Sequence, residues 1–274
     1  MEKIQSAIAK ARAERQAKGG SSARVQFTHR PTASDSPADA AWEALPLIEP
    51  RLRRMRSQRI VTLDRGREAS YFDKLRTRML QQMQANDWRR VAITSPGMGS
   101  GKTTIALNLA FSLSRQTRTR VILSEMDLRK PAIKKILGVK TQRDFAEVVN
   151  GNAGFEDHGF CIRPNFAVGM LQSPLGNPAE MLQDAGLGTT LDAMEAQYDP
   201  TMMMFDMPPL QVSDDVMAFA DKVDCVMIIA AAEHTKMAEL DACEREVADV
   251  TNVLGVVLNM CRYETEEKVY EYYG

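Results

Sequence analysis

From about residue 60 onward, apolar runs alternate with amphipathic stretches. Residues 201–206, 223–231 and 254–260 are continuous apolar runs. Such runs read as strands buried on both faces of a parallel sheet. Residues 91–94, 120–125 and 166–171 read as further strands. Between them, apolar positions recur at helical spacing. Residues 68–84 carry Phe72, Leu75, Met79 and Leu80, and residues 101–114 carry Ile105, Leu109 and Leu113. Helices are also expected over 178–183 and 189–197. The alternation predicts a doubly wound α/β domain around a mostly parallel sheet. No internal repeat is visible.

The first sixty residues are patterned differently. In residues 1–16, Ile4, Ala7, Ile8 and Ala11 share one helical face, with Lys3, Lys10, Arg12 and Arg15 around it. A narrow stripe of this kind suits a frayed, solvated tail, or docking on a partner or an anionic membrane surface. Residues 19–50 are rich in Gly, Ser, Ala, Pro and Asp, the composition of a disordered segment. Trp42, Leu45, Leu47 and Ile48 are its apolar exceptions and would pin its end to the domain. Arg51, Arg53, Arg54, Arg56 and Arg59 then form a basic run, either a solvated face or a contact for acidic lipid or a partner. The expected organisation is a short helix over 1–18, a largely disordered, flexible linker over 19–59, a P-loop domain over 60–262 and a tyrosine-rich tail over 263–274.

Composition narrows the chemistry. The chain has 274 residues and a net charge of −1, so no global attraction to nucleic acid is expected. Cys161, Cys225, Cys243 and Cys261, like His29, His158 and His234, are scattered without metal-ligand spacing. That pattern fits a reducing compartment and no structural metal. Residues 1–16 are too polar for a secretory leader. The longest apolar run, 225–232, is far short of the roughly 20 residues a membrane span needs. Any membrane association is therefore expected to be peripheral or through a partner.

Three segments carry the chemistry. The first is Ser95-Pro96-Gly97-Met98-Gly99-Ser100-Gly101-Lys102-Thr103-Thr104, between a predicted strand and a predicted helix. The strict phosphate-loop template asks for Gly where Pro96 stands, but the physics survives. Gly97, Gly99 and Gly101 let backbone N–H groups converge on phosphate oxygens, and the helix N-terminus points at the same anion. Lys102 can reach the β and γ phosphates and the Thr103 hydroxyl can ligate Mg²⁺. The second segment, Met202-Met203-Met204-Phe205-Asp206-Met207-Pro208-Pro209, is a strand ending in an acid that can reach the same ion. The third, Val121-Ile122-Leu123-Ser124-Glu125-Met126-Asp127-Leu128-Arg129, ends in two acids on one face. One can serve the metal and the other an attacking nucleophile.

These segments resemble the Walker A, A′ and B motifs of the bacterial tyrosine kinases of capsule and exopolysaccharide assembly. The resemblance includes Thr94-Ser95-Pro96 and the first-position proline, Glu125-Met126-Asp127-Leu128-Arg129-Lys130-Pro131, Asp206-Met207-Pro208-Pro209, and Val212-Ser213-Asp214. It extends to Asn177-Pro178-Ala179-Glu180-Met181-Leu182 and Val256-Val257-Leu258-Asn259. It covers residues 65–274. Two departures stand out. The family's E-x-x-R-x-x-R is represented by Ser70-Tyr71-Phe72-Asp73-Lys74-Leu75-Arg76, where only Arg76 matches. The charge reversal at Asp73 is expected to weaken any ring of subunits built on an arginine there. The first A′ acid is Glu125 in place of Asp, which adds a methylene.

The resemblance implies a P-loop NTPase fold of the bacterial tyrosine kinase and MinD kind, binding ATP and Mg²⁺. Gly97, Met98, Gly99, Ser100, Gly101, Lys102, Thr103 and Thr104 would cradle the nucleotide, with Asn259 at the adenine. Thr103, Asp127 and Asp206 would hold the metal. Lys102 and Arg129 would offset charge on the transferring phosphoryl group, and Glu125 or Asp127 would orient or deprotonate a tyrosine hydroxyl. Tyr263, Tyr270, Tyr272 and Tyr273, four of the chain's six tyrosines, would be the acceptors, modified between neighbouring copies. The resemblance further implies a membrane activator of the polysaccharide co-polymerase type and a cytoplasmic protein held at the inner membrane through it. Two other readings stay open. One is a nucleotide-gated regulatory subunit with little kinase activity. The other is a ParA/MinD-type ATPase, whose signature lysine near the start of the loop is absent here.

Overall fold

The structure, a computed structural model, describes residues 36–261. The expected helix over 1–18 and the tyrosines at 263, 270, 272 and 273 lie outside the described residues. Seven strands are present: β1 (Arg90–Thr94), β2 (Val121–Glu125), β3 (Phe160–Arg163), β4 (Phe166–Gly169), β5 (Met202–Asp206), β6 (Cys225–Ala231) and β7 (Asn252–Asn259). They form one sheet in the order β3-β4-β2-β5-β1-β6-β7. Every neighbouring pair is parallel except β3 on β4, which is antiparallel. Strands β2, β5 and β6 are buried along their whole length. The apolar runs that predict them are the consequence of helices covering both faces.

Two apolar cores lie on opposite faces of the sheet. One gathers Val91, Ile93, Leu123, Met202 and Met204 with α3 (Arg67–Ala85) and α4 (Lys102–Leu113). The other gathers Ile122, Met203, Phe205 and Ile228 with α9 (Ala185–Tyr198) and α11 (Met237–Ala248). Successive residues of β5 thus alternate between the cores, as a strand must. Helix α4 is sandwiched between the sheet and α3, so its residues 105–113 are buried all round. That sandwich fixes the axis along which Lys102 and Thr103 enter the site.

The short helices are α1 (Pro37–Ala44), α2 (Leu52–Ser57), α5 (Ile133–Leu137), α6 (Ala146–Val149), α7 (Phe155–His158), α8 (Pro178–Gln183) and α10 (Asp215–Phe219). Two of them correct the expectation of a disordered linker over 19–59 for its described part, 36–59. From Ser36 the chain is built into the domain. Ser36 accepts the Asp39 N–H at 3.2 Å and Pro37 opens α1, a favourable helix start. Trp42 is buried edge-on against Tyr198, and its indole N–H donates to the Tyr198 carbonyl at 2.7 Å. Ile48 donates its N–H to Cys161 at 2.8 Å, Arg51 donates to Leu137 at 2.8 Å, and Met55 is fully buried. Of the four apolar exceptions, Trp42 and Leu45 do pin the segment, whereas Leu47 is exposed.

Asp73 also has a task that its sequence context hides. Its Oδ1 accepts from Ser112 Oγ at 2.6 Å, from Arg76 at 3.0 Å and from Arg115. The acid clasps α3 to α4 inside one chain.

Candidate functional site

The C-terminal ends of β1, β2 and β5 sit side by side at the centre of the sheet, where doubly wound folds place their ligands. Ile93 pairs with Asp206 across β1 and β5, and Glu125 pairs with Asp206 across β2 and β5. The segment after β1 is tied down from below. Thr94 donates its hydroxyl to the Pro208 carbonyl at 2.7 Å. Leu210 and Gln211 donate their N–H groups to the Ser95 and Pro96 carbonyls at 2.9 and 3.1 Å. The Pro208-Pro209 pair therefore holds the loop's entry, and Pro96 costs no hydrogen bond because its carbonyl, not its missing N–H, is used.

The loop needs glycine at two places. Gly99 and Gly101 have φ of 79° and 84°, a region that side chains disfavour. A Cβ on Gly101 would also lie 2.5 Å from the Asn259 amide nitrogen. Helix α4 starts one residue later, so its first N–H groups face the loop. Lys102 lies at the mouth of that turn, largely buried. Burial lowers its pKa, opposed by the carboxylates of Asp206 and Asp127. The three charged groups are thus close enough to act on one another.

Thr103 donates its hydroxyl to Asp206 Oδ2 at 2.6 Å. Asp206 is buried, and burial pushes its pKa up to about 7 against the Thr103 hydrogen bond and the Lys102 charge. Its second oxygen, Oδ1, is buried with no hydrogen-bond partner. An orphaned buried carboxylate oxygen beside a threonine hydroxyl and a lysine is what a hydrated divalent cation would satisfy. Among the described residues no group of three or more His, Cys, Asp or Glu could hold a metal alone. The donor set therefore fits an ion that arrives bound to phosphate oxygens, as Mg²⁺ does.

Three sequence-based assignments change. Glu125 does not face this volume as a free acid. Its Oε1 accepts from the Ala132 and Ile133 N–H groups at 2.5 and 2.7 Å, and its Oε2 accepts from Leu171 at 2.9 Å. It is fully buried, and burial pushes its pKa up to about 7 against those N–H donors. Glu125 is the anchor that closes the 126–132 turn, and the methylene added relative to Asp lets it reach the far side of that turn. Arg129 does not point at the phosphate loop. Its guanidinium is gripped bidentately by Asp215 at 2.8 and 2.9 Å. Asn259 donates its amide N–H to the Ser100 carbonyl at 2.8 Å, so here it braces the loop's backbone.

Asp127 is half-buried and stays with the site. Its Oδ1 accepts the Lys130 N–H at 2.9 Å, which fixes the turn, and its charge is felt by both Lys102 and Asp206. Met98 is exposed at the loop's tip, with the Lys130 ammonium 3.5 Å from its sulfur. Ser100 donates to the Gly97 carbonyl at 3.2 Å, and Thr104 occupies the first turn of α4. The residue that sequence reasoning missed is Asp215. The Val212-Ser213-Asp214 match stops one residue short of it, and its only signal was the Asp214-Asp215 doublet.

A Gly-rich loop between β1 and a buried helix, with Asp206 hydrogen-bonded to the loop's threonine, defines a P-loop nucleotide-binding domain. Residues 91–273 match the CobQ/CobB/MinD/ParA nucleotide binding domain family, CbiA, and the chain belongs to that family. Within it, the chain is 25% identical over 196 residues to the tyrosine-protein kinase CpsD of Streptococcus pneumoniae, covering 69% of this chain and 82% of that one. Two solved structures share the fold. The VpsO kinase domain is 26% identical with a TM-score of 0.58, over 70% of this chain and 99% of its own. The chimerical protein CapA2B2 is 20% identical with a TM-score of 0.67, over 82% and 99%. The resemblance read from the motifs is thus shown by relatives named as tyrosine-protein kinases, and the VpsO kinase domain shares the fold. No helix among the described residues is long and apolar enough to cross a membrane.

Proposed function

We propose that this chain is an ATP-dependent protein-tyrosine kinase of capsule or exopolysaccharide assembly. Its acceptors are Tyr263, Tyr270, Tyr272 and Tyr273, modified between neighbouring copies. The observation that carries this reading is the Thr103–Asp206 hydrogen bond with its orphaned Asp206 oxygen, set beside Lys102. The names of the relatives supply the acceptor chemistry.

In this reading Mg-ATP lies on residues 97–104. Lys102 and the first N–H groups of α4 offset charge on the phosphates, which is most of what phosphoryl transfer asks of a protein. Thr103 and Asp206 would hold the ion, with Asp127 as a further metal-side acid, and the ion would supply charge neutralisation at the phosphate oxygens. Asp127 is also the group left to orient or deprotonate the tyrosine hydroxyl, since both Glu125 oxygens are taken. Arg129 reaches the phosphates only after leaving Asp215. The Asn259 Nδ2 is spent on the loop, which leaves its Oδ1 for the base. The activating partner is a membrane protein of the polysaccharide co-polymerase type, whose cytoplasmic end brings this chain to the inner membrane.

A second reading has one specific observation in its favour. With Arg129 held by Asp215, the chain alone suits a nucleotide-gated switch with little kinase activity. A ParA/MinD-type ATPase is less favoured, because Thr94, Ser95 and Pro96 stand where the signature lysine would be. The deciding experiment incubates the chain with Mg-ATP, with and without a partner's cytoplasmic segment, and maps phosphotyrosine by mass spectrometry. Phosphate on residues 263–273 in wild type, absent in Lys102→Met, supports the kinase. Nucleotide binding with no phosphotyrosine under either condition supports the switch.

A further inference from the structure

The basic run read from residues 51–59 acquires a shape in the fold. The Arg51 N–H donates to the Leu137 carbonyl at 2.8 Å, and α2 packs along α5. That backbone bond brings Arg51, and Arg54 of α2, beside Lys134 and Lys135 of α5, with Lys140 just beyond. Between the two helices lies a groove of about 350 Å³, lined by Arg51, Arg54, Lys134, Lys135, Lys140 and Gln172. A second concavity on the same helix adds Arg53.

Among the described residues, none of Arg51, Arg53, Arg54, Lys134, Lys135 or Lys140 makes a salt bridge. The packing of α2 against α5 uses Arg54, whose Nε donates to the Lys135 carbonyl at 2.5 Å, and Lys134, which donates to Gln172. Arg51, Arg53, Lys135 and Lys140 are exposed and uncommitted. Five like charges lining one groove, with Arg53 in the adjoining concavity, repel one another unless an anion comes between them. The groove is a concavity between two helices, which suits an extended acidic peptide better than a flat bilayer.

We propose that this groove is the docking site for residues 262–274 of the chain itself, the segment that carries the tyrosines. Charge complementarity supports that occupant. Glu264, Glu266, Glu267 and Glu271 outnumber Arg262 and Lys268 there. Reach supports it as well. The described chain ends at Cys261, beyond β7, and the groove lies by β2. These strands are separated by four steps across the sheet, about 19 Å at the usual strand spacing. Residues 262–274 extend to about 43 Å. Pro131, which follows the Asp127 turn, also lines the groove, so a docked segment runs beside the site without entering it. Each phosphate added to a tyrosine there brings further acceptors for Arg51 and Arg53 and strengthens docking. The docking does not depend on the kinase reading. Its consequence does: a docked segment is withheld from a neighbouring copy's nucleotide site.

The test is zero-length carbodiimide cross-linking of the full chain, with linked peptides identified by mass spectrometry. The expected result is links from Glu264, Glu266, Glu267 or Glu271 to Lys134, Lys135 or Lys140. In Arg51→Glu/Arg53→Glu, which keeps every lysine, their yield should fall by about tenfold at unchanged thermal stability. In case that variant fails to fold, wild type at about 1 M salt, where the screening length is about 3 Å, should show the same loss. Links from those glutamates only to lysines elsewhere would overturn the proposal, as would groove links indifferent to both charge reversal and salt. So would the absence of such links with groove lysines shielded only by phosphatidylserine vesicles, which would assign the groove to a membrane surface. Chain exposed or not exposed to Mg-ATP can be used, so failure here is distinct from failure to form phosphotyrosine.

Discussion

The Thr103 hydroxyl donates to Asp206 at 2.6 Å, and the other Asp206 oxygen has no partner at all. In the function proposed above, this pair would supply the protein's half of a metal site, with nucleotide phosphates supplying the rest. Lys102, largely buried beside it, sets its charge against those of Asp206 and the half-buried Asp127.

That arrangement carries a pH dependence. Burial raises the Asp206 pKa to about 7, well above its unfolded value near 3.8. Between those values the folded state holds a proton that the unfolded state has lost. Stability from this group therefore falls as pH rises from about 4 to about 7, then levels off. Glu125, raised to about 7 by burial, acts in the same direction. The nucleotide-free chain should melt at a higher temperature at pH 5.5 than at pH 8, and Asp206→Asn should flatten part of that slope. Scanning calorimetry across this range is the check.

Nucleotide binding should reverse the effect. A cation at Asp206 requires the carboxylate, so Mg-ATP binding near pH 6.5 should release protons. Titration calorimetry in buffers of different ionisation enthalpy measures the number released. Removing Mg²⁺ with a chelator should abolish the release.

Lys102→Met should weaken nucleotide binding about tenfold to a hundredfold, the worth of charge-assisted hydrogen bonds to phosphate. The fold should survive, because the substitution removes a buried cation whose charged form burial already disfavours. Fluorescent-nucleotide titration and a melting curve together separate the two effects.

Glu125 distinguishes an anchor from a catalyst. Glu125→Ala orphans the N–H groups of Ala132, Ile133 and Leu171, at about 1–3 kcal/mol for each buried donor left unsatisfied. A large fall in unfolding free energy is expected, measured by urea denaturation. An unchanged stability with lost phosphotransfer would instead make Glu125 a catalytic acid.

Trp42→Ala should destabilise the domain by about 3–5 kcal/mol, through the cavity and the lost bond to the Tyr198 carbonyl. Segment 36–59 would then become an early site of proteolysis. A mere linker would show neither effect.

Much of this molecule is legible in its sequence, and the reasons for the exceptions are physical. Strands β1, β2, β5 and β6 could be read because their burial on both faces leaves an apolar signature. The phosphate loop could be read because few residue types satisfy its positive-φ positions at Gly99 and Gly101. Strand β3 is short, antiparallel and at the sheet's edge, with Ile162 and Arg163 only half-buried, so it leaves little pattern. The segment at 36–59 reads as linker because its composition is polar, yet Trp42, Leu45 and Met55 suffice to fix it. Side-chain commitments were the least legible. Nothing in the residue types says that Arg129 is held by Asp215, or that Glu125 spends both oxygens on backbone. Those follow from where two turns meet in space.

Phosphoryl transfer from nucleotide held at Lys102 to this chain's own tyrosines can be followed between copies in a mixing experiment. One chain carries Lys102→Met with its tyrosines intact. The other, isotopically heavy, keeps Lys102 and carries Phe at 263, 270, 272 and 273. Both are incubated with Mg-ATP and a partner's cytoplasmic segment, and phosphotyrosine is assigned by mass. Phosphate is expected on Tyr263, Tyr270, Tyr272 or Tyr273 of the light chain, and none when the heavy chain is omitted. A light chain without phosphotyrosine, in a mixture where the heavy chain binds nucleotide normally, would contradict it.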